Sequence, residues 1–182
     1  MNLQFVKLAK NHLKKVMKWR NSTHIKSHMY SEPKITYSSQ LLWFSKINND
    51  QQQKYWIIRE DNVDVGLVCL TDINHIHKRC SWAYYLGEES SWGKGIGKQV
   101  ELNILNYVFS YLKLNKLCCE VLSSNQKVVD IHIKYGSSIE GKLRDHIFKK
   151  KLFHDVIIMG ITKSDWEKIK NNFEISKAQI EE

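Results

Sequence analysis

The spacing of apolar residues along the first half of the chain predicts two helices followed by three strands. Apolar side chains recur every three or four residues over 12–21 and over 38–47, as in amphipathic helices. The polar segment 22–37 between them is interpreted as an ordered surface loop. Three later runs are rich in β-branched and aromatic residues and are separated by polar turns, which predicts an antiparallel meander. These runs span residues 55–58, 65–73 and 79–86.

The second half of the chain predicts a long helix, a strand, a short helix and a hairpin. Val100, Ile104, Val108 and Leu112 form one apolar stripe of a helix that begins after residue 97. The later elements are a strand at 116–122, a helix at 125–135, hairpin strands at 137–148 and 153–162 across a solvated lysine tip at 149–151, and a terminal helix at 164–175. This order predicts an α/β fold with a mixed sheet, in a single domain over residues 1–182.

The charge of the chain narrows the classes of partner. It has 28 Lys and Arg against 19 Asp and Glu, a formal net charge of +9, so it attracts nucleic acid, a membrane face or phosphorylated small molecules. No zinc-finger, RRM or basic-heptad signature is present, which argues against nucleic acid. No run approaches the roughly 18 apolar residues of a membrane span. The first ten residues carry no secretory signal, so a cytoplasmic protein without membrane binding is expected.

The cysteine and histidine patterns do not predict a metal site. No two cysteines form a C-x-x-C pair, and reduced thiols are expected. The four cysteines are Cys69, Cys80, Cys118 and Cys119. His75 and His77 lack a third ligand at a suitable spacing, so both are expected to be solvated loop residues. No metal is therefore expected among the cofactors.

A glycine cluster marks the start of the long helix. Gly93, Gly95 and Gly97 follow a predicted strand, and glycine lets a backbone approach a ligand closely. The helix start adds unpaired N–H groups and a positive dipole end, so the segment suits a pyrophosphate as well as it suits an ordinary flexible turn. Lys98 is followed by Gln99, which excludes a P-loop. The spacing also differs from the dinucleotide pattern G-x-G-x-x-G.

Two segments resemble the GNAT superfamily of N-acetyltransferases. The segment Trp92-Gly93-Lys94-Gly95-Ile96-Gly97 is similar to its acetyl-CoA loop, Gln/Arg-x-x-Gly-x-Gly/Ala, with Trp92 in place of Gln/Arg. The segment from Asn125 to Gly136 resembles the family segment N-x-x-A-I-x-L-Y-E-K-x-G-F. The resemblance implies a GNAT fold, with a central, largely antiparallel sheet flanked by helices, and acetyl-CoA as the acetyl donor. GNAT enzymes often dimerise, so a homodimer is one expected state.

The resemblance also implies which residues bind the donor and which act in catalysis. The donor residues are Tyr85, Leu86, Trp92, Gly93, Lys94, Gly95, Ile96, Gly97, Lys98, Asn125 and His132. Backbone groups of Tyr85 and Leu86 would face the thioester. His132 occupies the position of the family tyrosine that protonates the CoA sulfur, and imidazolium is a competent acid for a thiolate. The alternative is a histidine on the helix surface.

Glu120 is the candidate general base. It lies on an otherwise apolar strand, where an unpaired buried carboxylate is unfavourable. It would take the proton of the attacking amine, through a water if the two groups are not in contact. The alternative is a carboxylate that is exposed at the sheet edge or paired with a lysine.

Scattered matches in the first half resemble one branch of the superfamily. Segments 19–21, 29–31 and 71–74 are similar to the branch that acetylates the 4-amino group of a UDP-linked 4-amino-4,6-dideoxy sugar in the pseudaminic acid pathway. The resemblance implies a UDP-amino-sugar acceptor, with arginine pairing phosphate and an aromatic ring stacking on uracil. The substrate residues would be Arg20, Asn21, Met29, Tyr30, Gln40 and Thr71.

Other functions remain open at this stage. An enzyme of the same fold could acetylate a polyamine or the N-terminus of a ribosomal protein, although the basic surface disfavours a polycationic acceptor. Two readings from other classes are a GNAT scaffold that binds CoA without catalysis and a nucleic-acid-binding module.

Overall fold

A computed structural model describes residues 2–31 and 33–182, which contain both strands and helices. The strands are β1 (Leu3–Lys7), β2 (Lys54–Glu60), β3 (Val63–Asn74), β4 (Arg79–Leu86), β5 (Lys116–Leu122), β6 (Ser138–Lys149), β7 (Leu152–Thr162) and β8 (Gln179–Ile180). The helices are α1 (Leu13–Asn21), α2 (Thr23–Ser27), α3 (Tyr37–Asn48), α4 (Ile96–Asn106), α5 (Gln126–Lys134) and α6 (Lys163–Ile169).

All eight strands join one sheet in the order β6-β7-β5-β4-β3-β2-β1-β8. Neighbours are antiparallel except at β4–β5 and β1–β8, which are parallel. The sheet is therefore mixed and largely antiparallel, with helices against it, as predicted. The parallel junction β4–β5 arises because the chain leaves β4 through the glycine segment and α4 before it returns as β5.

Helices cover both faces of the sheet. The larger core lies against α4, where every residue from Gln99 to Leu105 is buried. A smaller cluster on the other face joins Val16 and Trp19 of α1, Ile47 of α3 and Ile57 of β2. The long predicted helix ends earlier than its stripe suggested, because residues 107–111 form a π-helical turn.

Most predicted elements are confirmed to within a few residues, and β4 and β5 match their predicted bounds. Three elements were missed. The terminal strands β1 and β8 are short, and β8 has only two residues, too few for a periodic pattern. The segment expected to be a loop contains the five-residue helix α2. The helix α2 has no apolar stripe that would predict it, so its position depends on tertiary contacts.

Candidate active site

A wedge opens in the middle of the sheet between β4 and β5. Their pairing runs from Arg79↔Lys116 to Ser81↔Cys118, and among the described residues it does not continue to the ends of the strands. On their outer sides both strands stay paired, β4 with β3 and β5 with β7. The two strands therefore diverge over their last residues and leave backbone groups without a sheet partner. An extended ligand can bind such edges.

Backbone direction decides which residues of β4 face this wedge. The Tyr85 carbonyl oxygen points at Gly66 of β3, where a Cβ atom would overlap it. Because backbone groups alternate along a strand, those of Tyr84 and Leu86 point the other way. The prediction named Tyr85 and Leu86, and the geometry replaces Tyr85 by Tyr84. The Leu86 carbonyl already accepts a hydrogen bond from Trp92 Nε1 at 3.1 Å.

The glycine segment connects the wedge to the N-terminus of α4. Gly93 and Gly95 have φ of +74° and +80°, a region that favours glycine, and open space lies where their side chains would be. Gly95 is the N-cap of α4 and has no side-chain cap, so the N–H groups of the first turn are free to bind an anion. A Cβ at Gly97 would lie 3.0 Å from the Tyr84 hydroxyl.

These features fit the pyrophosphate of acetyl-CoA. The two lysines of the segment, Lys94 and Lys98, are exposed beside the free amides. Trp92 is 46% exposed, and its ring packs edge-on against His24 with ring centroids 5.0 Å apart. Trp92 thus anchors the segment to β4 and α2, so its position needs no glutamine or arginine side chain.

On one face of the wedge, His132 of α5 pairs with a buried acid. Its Nδ1 lies 2.9 Å from Oε1 of Glu101 in α4, and the two residues are 5% and 1% exposed. Its ring contacts Trp82 of β4 with centroids 5.4 Å apart. The alternative that His132 lies on the helix surface is therefore wrong. Glu101 was not among the predicted site residues; its signal in the sequence is an acid directly beside Val100 of the apolar stripe.

The pKa of both members of this pair is raised, that of Glu101 by burial and that of His132 by its contacts, which favours a proton held between them. Burial lowers the pKa of the His132 imidazole, but interactions with Cys119 and Glu101 outweigh burial and raise the pKa of His132 to about 10. Burial raises the pKa of Glu101, and the bond to His132 opposes that rise. Both directions describe one proton shared between Nδ1 and Oε1, because a lone carboxylate is unfavourable in the core.

On the opposite face, Glu120 of β5 meets Tyr30. The Tyr30 hydroxyl donates to Oε2 of Glu120 at 2.9 Å, and both residues are exposed. Cys119 and Glu120 are successive strand residues, so their side chains point to opposite faces of the sheet. Burial, followed by the bond to Glu120, raises the pKa of the Tyr30 hydroxyl above its usual range. Tyr30 and Glu120, 90 residues apart in sequence, are thus brought into contact by the fold.

Lys149 fixes the acceptor segment, which we define as the described residues between α1 and α3 (22–31 and 33–36). The Lys149 ammonium is buried and donates to the carbonyls of Lys26, Ser27 and Met29 at 2.9, 2.8 and 2.6 Å. The expectation of a solvated lysine tip is therefore wrong at this position, because the ammonium replaces water with three carbonyl oxygens. Nothing in the local sequence distinguishes Lys149 from its two neighbours.

Arg20 lies close to the acceptor segment with a weak partner. Its Nη1 is 2.9 Å from the Met29 sulfur, and no salt bridge to Arg20 occurs within the described ranges. Its charge acts on Tyr85, whose hydroxyl is buried without a hydrogen-bond partner in the described part of the chain. Arg20 therefore has no carboxylate partner in the described ranges, and a buried hydroxyl without a partner lies within reach of its charge.

Three other predicted substrate residues have different surroundings. The Asn21 amide bonds both backbone groups of Ile35, so it fixes the acceptor segment. Gln40 is a buried residue of α3. Thr71 pairs with Ser81, five residues before Leu86, which places it roughly 16 Å from the open end of the wedge. Thr71 is thus not brought together with the other candidates.

Asn125 caps the start of α5 through its backbone. It is the N-cap of α5, and its carbonyl accepts from the backbone of Val128 at 3.0 Å, but its side chain makes no cap.

No group of three or more His, Cys, Asp or Glu among the described residues is arranged to hold a metal ion. In the same described ranges, no helix is long and apolar enough to cross a membrane.

A sheet that opens beneath a glycine-rich helix start, with ionisable groups on both faces, defines an acyltransferase that uses a CoA thioester. The chain belongs to the GNAT acetyltransferases, because the family described as "Acetyltransferase (GNAT) domain" matches residues 2–138. It is thus an acetyl-CoA-dependent N-acetyltransferase, and the predicted fold and enzyme class are confirmed.

Similar proteins include two acetyltransferases with different names. Spermidine N(1)-acetyltransferase of Escherichia coli is 28% identical over 154 residues, which cover 85% of this chain and 82% of that protein. Acetyltransferase PseH of Campylobacter jejuni is 26% identical over 149 residues, 81% of this chain and 91% of that protein. A crystal structure of spermidine N-acetyltransferase from Vibrio cholerae with CoA and spermine has a TM-score of 0.85 at 24% identity. It covers 91% of this chain and 98% of its own, and it supports the fold.

Proposed function

We propose that this enzyme transfers acetyl from acetyl-CoA to a primary amine of a small molecule, with Glu120 and His132 acting from opposite faces of the wedge. The observation that carries the proposal is the pairing of β4 and β5, which stops after Ser81 and Cys118 and leaves open backbone between the two ionisable pairs. A thioester held there has an acceptor side at Tyr30 and Glu120 and an interior side at His132.

Each residue would have one task in the reaction. The Glu120 carboxylate would accept a proton from the amine, directly or through a water, so that the nitrogen lone pair is free to attack. A C–N bond forms to the acetyl carbonyl carbon as the C–S bond breaks. His132 would give the proton on Nε2 to the departing sulfur. Backbone N–H groups of β4 that face the wedge would stabilise the negative charge on the carbonyl oxygen.

The acceptor supported best by the comparisons is a polyamine such as spermidine. The Escherichia coli protein named for spermidine acetylation is 28% identical, against 26% and 25% for the two PseH proteins, and the proteins named for spermidine cover 85–87% of this chain, against 79–81%. The exposed Glu120 carboxylate suits an ammonium group that is to be deprotonated. The polyamine alternative is therefore favoured over the nucleotide sugar that the sequence resemblance implied.

A nucleotide sugar remains the second candidate because of Arg20. Its guanidinium has a sulfur atom as its described hydrogen-bond partner and lies near the unpartnered Tyr85 hydroxyl, so it suits a phosphate or a uracil carbonyl. The net charge of +9 also favours an anionic acceptor over a polycation.

A competition assay would separate these acceptors. The protein is incubated with acetyl-CoA and equimolar spermidine and UDP-4-amino-4,6-dideoxy sugar, and acetylated products are counted by mass spectrometry while free CoA thiol is titrated. We expect one acetyl group per thiol on spermidine. Acetylated sugar in its place would favour the second candidate, and Arg20→Gln should then weaken sugar binding without affecting acetyl-CoA. Thiol release with no acetylated amine would contradict both acceptors.

A further inference from the structure

Glu101 is an acid that the protein maintains inside its main core. It lies in the middle of α4 between Val100 and Leu102, all three are buried, and its own exposure is 1%. Within the described residues its Oε2 atom has no hydrogen-bond partner, and Oε1 has one strong partner, His132. An apolar residue at this position would avoid burying a carboxylate, so a structural role alone does not explain the choice.

Glu101 fixes the orientation of the His132 imidazole through one hydrogen bond. The bond of 2.9 Å joins Oε1 to Nδ1, so the second ring nitrogen, Nε2, is directed away from α4. The ring is also held against Trp82 of β4 and interacts with Cys119 of β5, which lies beyond the last β4–β5 pair. The imidazole therefore bridges the helix layer and the open part of the wedge.

We propose that Glu101 is a positioning residue, which orients His132 and keeps a proton on its Nε2 so that this nitrogen can protonate the departing sulfur. The proposal rests on the general-acid role given to His132 in the proposed function.

Proton bookkeeping supports this role. With one proton shared between Oε1 and Nδ1, Nε2 still carries a hydrogen whether the shared proton lies on oxygen or on nitrogen. When Nε2 gives that hydrogen to sulfur, the shared proton settles on Nδ1 and the product is a neutral imidazole beside a carboxylate. A bound carboxylate stabilises the protonated ring in this way, as second-partner acids do for other histidines.

The other titratable groups around His132 come from three elements. Cys119 faces it from β5, Tyr84 lies on the same β4 face as Trp82, and Tyr135 follows α5; burial raises the pKa of both tyrosines. Both tyrosines are neutral at physiological pH and Glu101 is the one carboxylate among these groups. Replacing Glu101 removes this carboxylate and should therefore lower the pKa of His132, to which the hydrogen bond with Cys119 also contributes.

The test measures His132 directly in the full chain and then measures the reaction. Side-chain ¹⁵N NMR follows the His132 titration and tautomer in the wild type and in Glu101→Gln, with and without CoA. Turnover is recorded from pH 6 to 10 for the same proteins. Asn103→Ala is the matched control, because Asn103 is another buried polar residue of α4 whose hydrogen bonds go to Gln99, Ser176 and Ala178. Glu101→Asp serves if the glutamine variant does not fold.

We expect the His132 titration to move to lower pH by more than one unit in Glu101→Gln, together with the alkaline limb of turnover, and turnover at pH 8 to fall at least tenfold. Asn103→Ala should lower stability without moving either curve. An unchanged His132 titration in Glu101→Gln would overturn the positioning role of Glu101, whichever group protonates the CoA sulfur. A shifted titration with an unmoved activity profile would instead overturn the general-acid role of His132, and with it the catalytic meaning of Glu101.

Discussion

The two faces of the wedge carry similar hydrogen bonds in opposite surroundings. His132 and Glu101 lie 2.9 Å apart with 5% and 1% exposure, whereas Tyr30 and Glu120 lie 2.9 Å apart on the surface. Burial makes the first pair strongly coupled, since neither group can exchange its partner for water. The exposed pair can open for a ligand at little cost. A hydrogen bond of the same length can therefore retain a proton in the buried pair and open for a substrate in the exposed pair.

The largest effect on turnover should come from the face of the wedge that carries the buried His132–Glu101 pair. His132→Phe removes the proposed acid, and turnover should fall by about 10²–10⁴ with acetyl-CoA binding retained. Thermal unfolding checks that the variant is folded. His75→Phe is the control, because His75 is exposed in the turn before β4, at the opposite end of the strand from the wedge. Unchanged turnover in His132→Phe would remove His132 from the reaction.

The next largest effect should come from Lys149, which holds the acceptor segment on the exposed face of the wedge. Lys149→Met leaves three carbonyls of the acceptor segment without their donor, so the free energy of unfolding should fall by about 1.5–3 kcal/mol. KM for the acceptor amine should rise more than KM for acetyl-CoA. Lys151→Met changes an exposed lysine of the same turn and should do neither. Equal rises in both KM values would show that the two faces are not independent.

Strain in the glycine segment should weaken the binding of acetyl-CoA and leave the His132–Glu101 and Tyr30–Glu120 pairs unchanged. Gly95→Ala places a side chain at φ +80°, which costs about 1–2 kcal/mol. KM for acetyl-CoA should rise while the His132 titration and KM for the amine stay unchanged. Gly141→Ala is the control, since Gly141 has open space and no positive φ. An effect of the same size at both glycines would contradict a specific role for the helix start.

Stability should depend on pH through the buried pair. The pKa of His132 is raised from 6.5 to about 10, so its contribution is fully present below pH 6.5 and is lost as the pH rises toward 10. Between pH 6.5 and 8.5 the free energy of unfolding should fall by up to about 1.4 kcal/mol per pH unit, measured by urea titration. The slope should vanish when both titrating groups are removed, in the double variant His132→Phe/Glu101→Gln, because burial alone raises the pKa of a Glu101 left without His132. Stability that rises over this range would reverse the assigned direction of the shift.

The smallest effect should come from the exposed pair itself. Tyr30→Phe removes one solvent-accessible hydrogen bond to Glu120, and the free energy of unfolding should change by about 0.5 kcal/mol. Turnover should change less than it does in His132→Phe. Urea titration of the two variants side by side measures the contrast, and a loss as large as that of Lys149→Met would mean that Tyr30 is structural.

The glycine segment and the helix that follows it could be found from the sequence because they are local in sequence. Gly93, Gly95 and the start of α4 lie within a few residues, and a helix start binds anions through its own backbone wherever it sits in a fold. The strands β4 and β5 were also predicted, since each is rich in apolar residues over a short stretch. Their divergence was not, because a break in pairing depends on what both strands do with other neighbours.

The other candidate residues needed the folded chain. His132 and Glu101 are 31 residues apart, Tyr30 and Glu120 are 90 apart, and Lys149 reaches carbonyls more than 100 residues away. No periodicity links such positions, and a lysine in a run of three has the same local signal whether it is buried or exposed. The resemblance placed His132 in the reaction, but only the structure gave it a partner and a raised pKa.

The sequence by itself determined the order of the longer helices and strands, the mixed sheet, the glycine segment and the family, because these follow from short-range patterns of polarity and backbone freedom. The tertiary structure alone decided which backbone groups of β4 face the wedge, which lysine is buried and which carboxylate meets His132. Burial sets the strength of a hydrogen bond and the charge of its members, and burial is a property of the packed chain.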